Sequence, residues 1–123
     1  MPEITYNLHL SESYRNATDA ERAAVCNGAG AKNGLKFPNT FYGLDMTEAF
    51  HNHDWDYDKG ITQEDKDRAD RYMLLNTLII IESQKGLKNA ILKPLRRRRA
   101  LKYYEAVVIW GNRAFWINKG IPT

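Results

Sequence analysis

The chain has a single cysteine, only four prolines and no long apolar run, and each shortage excludes something. A lone Cys26 rules out an internal disulfide framework and a multi-cysteine zinc site. The longest apolar block, residues 73–81, is interrupted by Asn76 and Thr77. It falls well short of the roughly 18 apolar residues of a membrane span. No basic-then-apolar segment opens the sequence, so we expect no cleaved secretory peptide and a cytoplasmic or virion-associated setting. No repeat, low-complexity tract or Pro/Gly/Ser linker divides the 123 residues, which points to one domain over 1–123, with 1–12 as an extended arm. What is present, 43% hydrophobic and 27% charged residues, suffices for a modest core and is not the composition of a disordered chain.

The net charge of +3 conceals a division. Residues 84–119 carry ten Lys and Arg against Glu105 alone, net +9, and the remainder is net −6. A basic block of this kind meets phosphates on lipid or nucleic acid, or forms a solvated helix face. Arg96-Arg97-Arg98-Arg99 spans a whole helical turn, so at least one of the four must approach the core.

Tyr6, Leu8 and Leu10 alternate with polar residues, the period of a strand or extended arm, yet no partner strand follows. Thr18-Asp19-Ala20-Glu21 forms a capping box and opens a short helix. Glycines and Pro38 make 28–43 a long loop. Met46, Ala49, Phe50, His53 and Tyr57 fall on one helical stripe, and Gly60 stops that helix. Thr62 caps a third helix ending near Gly86, and a fourth, basic helix begins near Pro94. The expected fold is mostly α.

The unusual segment is His51-Asn52-His53-Asp54-Trp55-Asp56-Tyr57. A helical zinc pair needs ligands at i and i+4, and the partner of His53 at that spacing is Tyr57. What remains is His53-Asp54-x-x-Tyr57 with His53 and Tyr57 on the apolar face. Asp70 lies on the apolar stripe of the next helix, where a carboxylate is costly unless paired. If the two helices are antiparallel, the sequence midpoint of His53 and Asp70 lies between Ile61 and Thr62, inside the expected turn. The two should therefore face each other. A carboxylate on one imidazole nitrogen fixes the tautomer and leaves the other as a base; the same pair also serves as a purely structural ion pair. Asp54 and the Gly28-Ala29-Gly30 loop offer the hard oxygens that calcium takes, and the loop's amides suit an oxyanion.

With these residues in view, the chain resembles the phospholipase A2 superfamily. The resemblance rests on Gly28-Ala29-Gly30, His53-Asp54-Trp55-Asp56-Tyr57 and Asp70. Its compact layout is closer to bacterial and parvovirus-capsid members, and residues 24–118 resemble small phage and bacterial proteins. The resemblance implies a core of two antiparallel helices with a glycine-rich calcium loop, here with an extra C-terminal basic helix. It implies that His53 activates a water, Asp70 orients His53, Tyr57 bonds Asp70, and the Gly28 amide meets the oxyanion. It implies calcium held by Asp54 and the carbonyls of Cys26, Gly28 and Gly30. Asp67 rivals Asp70 for the histidine. The cysteines that flank the histidine in secreted members are Ala49, Phe50 and Asp56 here. The implied partner is phospholipid or an anionic membrane surface. The alternatives are a catalytically silent module of the same fold and a nucleic-acid-binding protein using 85–102. Phe37, Phe41 and Tyr42 would either line an acyl channel or anchor their loop.

Overall fold

A computed structural model describes residues 6–26, 39–117 and 119. The described chain is mostly helical, with helices α1 (Glu12–Asn16), α2 (Asp19–Val25), α3 (Thr47–Lys59), α4 (Gln63–Glu82), α5 (Leu87–Trp110) and α6 (Asn112–Trp116). A small antiparallel pair, β1 (Thr40–Phe41) and β2 (Leu44–Asp45), precedes α3. No described helix is long and apolar enough to cross a membrane.

The capping signals act as their sequences dictate. Thr18 and Glu21 close a reciprocal box at the start of α2. Thr62 and Asp65 do the same for α4. Between α3 and α4 the chain turns at Gly60, where an added Cβ would stand 2.8 Å from the Phe115 ring and 2.9 Å from the Asp56 carbonyl. Glycine there admits the close approach of Phe115 and of the last carbonyls of α3.

α4 packs against α3 and against α5. Between them Phe41, Phe50 and Tyr103 form an aromatic cluster with centroids 4.9 to 5.9 Å apart. Phe41 is fully buried in it, so the anchor role holds for that residue; Phe37 lies outside the described residues. Arg96 is the arginine that turns inward. It donates to the carbonyls of Phe41 (3.0 Å) and Tyr42 (2.7 Å) and to Asn89 Oδ1 (2.8 Å), tying the hairpin to α5. Arg97 pairs with Glu82 on α4 at the surface.

Several elements depart from expectation. The hairpin occupies part of the expected loop, and Tyr42 and Gly43 at its turn have positive φ of 49° and 82°. That is the twist a two-residue connection between antiparallel strands requires. α5 begins at Leu87 and runs through Pro94, because the ring lies on the exposed side and the helix there forgoes one amide bond. Of the expected arm, residues 6–11 dock on the body without a partner strand among the described residues, and residues 1–5 lie outside the described residues. Asn76 receives the His9 amide (2.6 Å) and returns a bond to the His9 carbonyl (3.1 Å), while Asn52 accepts from the Ser11 amide (3.2 Å). Two side-chain amides thus replace a neighbouring strand. α1 follows the arm, capped by Ser11.

Asp65 offers a test of the α4 cap. The Ile61 amide bond, outweighing slight burial, together with the Thr62 amide and Arg68, holds its carboxyl down to about 2. An unfolded aspartate titrates near 3.9, roughly. The contribution is therefore complete above about pH 4 and disappears as pH falls through the folded value. Asp65→Asn should lower stability at about pH 6 but make little difference near pH 2, as read by urea unfolding across that range.

Candidate active site

His53 and Tyr57 are one turn apart on α3, and Lys66 and Asp70 are one turn apart on α4. Antiparallel packing brings all four to one buried point. Asp70 Oδ1 takes His53 Nε2 at 2.8 Å and the Tyr57 hydroxyl at 2.6 Å. Its other oxygen accepts from Lys66 Nζ at 2.9 Å. Lys66 also donates to the Val107 carbonyl of α5 at 3.1 Å. Asp70 and Lys66 are each 1% exposed. The expected His53–Asp70 contact across the turn is present. Asp67 is instead exposed and accepts from Gln63 at 2.9 Å, which removes it as the rival.

The electrostatics follow from this packing. Burial alone would raise the Asp70 pKa. The hydrogen bond and charge of His53, then the bonds from Tyr57 and Lys66, outweigh it and hold the carboxyl below the ordinary aspartate value. Burial, then the charge and hydrogen bond of Asp70, pushes the Tyr57 hydroxyl far above its usual range, so it stays a donor. With Nε2 committed to Asp70, Nδ1 is the remaining imidazole nitrogen.

Lys66 and Gly111 were not foreseen. The stripe carrying Asp70, Met73 and Thr77 reaches Lys66 when extended back one turn, so a signal existed. A lysine four residues before an aspartate is, however, also the pattern of a surface ion pair. Gly111 lets α6 fold over the site: a Cβ there would sit 2.5 Å from the Tyr57 hydroxyl.

The second half of the expected constellation is represented by Cys26 and Asp54. Cys26 ends α2 and packs beside Trp55, its thiol donating to the His51 carbonyl at 3.1 Å. Burial and then the charge of Asp54 push that thiol up to about 11. It is a protonated, packed thiol, within electrostatic reach of Asp54. Gly28 and Gly30 lie outside the described residues, and so does the oxyanion amide expected of Gly28. Among the described residues no group of three or more His, Cys, Asp or Glu could hold a metal. One carboxylate with backbone carbonyls is not such a group. A polar cleft of about 350 Å³, lined in part by Ser11, Asp56, Lys59 and Arg68, lies near the α3–α4 turn, and none of the four site residues lines it.

No family model matches the chain, and no curated protein or solved structure matches it either.

Removing Lys66 tests how the carboxylate is held. Lys66→Met leaves Asp70 buried without its cation and should cost about 3 kcal/mol or more in urea unfolding. Adding Asp70→Asn to that variant removes the stranded charge and should recover much of the loss.

Proposed function

We propose that this protein is a calcium-dependent esterase that hydrolyses phospholipid by a His53-activated water, on a phospholipase A2-like core. The observation that carries the reading is the buried Asp70 carboxylate, which takes His53 by Nε2 and leaves Nδ1 for the proton of a water. In this reading Nδ1 accepts that proton as the water attacks the ester carbonyl carbon. The imidazolium formed is balanced by the Asp70 carboxylate. His53 then returns the proton to the departing alkoxide. Tyr57 and Lys66 keep Asp70 from rotating. Asp54 and the carbonyls of Cys26, Gly28 and Gly30 would hold calcium, which supplies Lewis-acid polarisation of the ester when bound. The substrate's setting is an anionic lipid surface, with Lys85 and Lys88 exposed at the start of the basic helix.

A second reading, a catalytically silent module of the same fold, is favoured by one observation. The Lys66–Asp70 pair is buried and bonded on both oxygens, as a structural ion pair would be.

Fatty-acid release from mixed phospholipid micelles, with calcium and with chelator, separates the two. His53→Asn should lower turnover by roughly 10² or more while leaving calcium binding by calorimetry intact. Asp54→Asn should weaken calcium binding and activity together. Asp70→Asn should slow turnover by roughly 10² or more at unchanged calcium affinity. A folded wild-type chain that neither binds calcium at millimolar concentration nor releases fatty acid is the silent module.

A further inference from the structure

Seven of the ten exposed large hydrophobic residues among the described ones lie on α5. They do not belong to its core-facing side, where Arg96, Ala100, Tyr103 and Val107 are buried. Leu87 is 78% exposed and Ile91 64%, and Leu101 and Val108 continue the same row. Pro94, Arg98 and Glu105, all exposed, fill the places between them. From 87 through 91, 94, 98, 101 and 105 to 108 the steps alternate four and three. That is the spacing of a helix face that packs lengthwise on another helix. At 1.5 Å per residue the row is about 32 Å long.

Charge selects the partner. Arg98 and Glu105 both stand on the midline of the row, and Glu105 is the one acid of residues 84–119. An anionic lipid surface or a nucleic acid would meet Glu105 with like charge. The surface that satisfies both residues carries an acid opposite Arg98 and a base opposite Glu105. A second copy of α5 laid antiparallel has this arrangement. Residues that face each other across a twofold axis have a constant number sum, so setting Arg98 against the second copy's Glu105 sets the reciprocal pair as well. The same register places Pro94 against Ile109 and Leu95 against Val108, and it brings Leu101 beside its own copy at the axis. In this register Pro94, Leu95, Val108 and Ile109 meet one another, while Leu101 stands opposite Lys102, and Ile91 stands opposite Asn112, past the end of α5. Parallel packing would instead oppose Arg98 to Arg98. Lys102 meets its own copy near the axis at the rim, where solvent and salt screen the repulsion.

We infer that the protein forms an antiparallel twofold dimer through the outer face of α5, with two reciprocal Arg98–Glu105 pairs flanking Leu101. This surface is separate from the His53 site, and the inference does not depend on the proposed reaction. Sedimentation velocity of the full chain, from micromolar to several hundred micromolar, should show a monomer–dimer equilibrium. Arg98→Glu and Glu105→Arg should each weaken it at least about tenfold, and the double exchange should restore it to within about threefold. Both side chains are exposed, so the helical circular dichroism of each variant should match the native chain. A native chain that stays monomeric throughout, a dimer indifferent to both single changes, or a double variant as weak as the singles overturns the inference. So does a monomer that binds phosphatidylglycerol vesicles or duplex DNA and loses that binding with Ile91→Glu, which would give the face to that partner.

Discussion

Three helices meet at one carboxylate. Asp70 is enclosed by donors from α3 and from its own α4, and the lysine among those donors is held in turn by α5. An unpaired charge at that depth would be untenable, so the burial of Asp70 and the presence of His53, Tyr57 and Lys66 require one another. The remaining structure supports this arrangement. Gly60 admits Phe115 of α6 at the α3–α4 turn, the Phe41–Phe50–Tyr103 cluster fixes α3 against α5, and Gly111 admits α6 without displacing the tyrosine.

The pairing of His53 with Asp70 was legible in the sequence because helix period and turn position together constrain which residues can face across a hairpin of helices. Capping was legible too, at Thr18 and Thr62, since a capping box is a purely local interaction. What was not legible depended on neighbours far along the chain. Asn52 and Asn76 look like ordinary polar residues of helices, and only the docked arm reveals them as its hydrogen-bond partners. Pro94 resembles a helix start until the preceding turn, opened by Gly86, is seen to continue through it. Arg96 follows the demand that one of four consecutive arginines turn inward, but its acceptors are hairpin carbonyls some fifty residues earlier, which no local pattern names.

The two faces of α5 divide the molecule's chemistry. Its inner face supplies a carbonyl to the buried site and a guanidinium to the hairpin. Its outer face carries apolar residues, Arg98 and Glu105. A helix that carries apolar residues on both faces is unusual for a surface element, and α5 accounts for most of the large hydrophobic side chains that the described fold leaves in water.

The Val107 carbonyl that receives Lys66 also accepts the Gly111 amide that caps α5, so it belongs to the last turn of a 24-residue helix. The negative end of that helix dipole therefore lies against the Lys66 ammonium, which lies against the Asp70 carboxylate, which lies against His53. Helix end, ammonium and carboxylate alternate in sign along this column, and Lys66 and Asp70 are out of water. Ionic strength therefore divides the protein's ion pairs into two populations. Added salt reaches and weakens Arg97–Glu82 and Arg68–Asp65 at the surface. The buried column is balanced by a helix end instead of by counterions, and it keeps its field unchanged in the same solution.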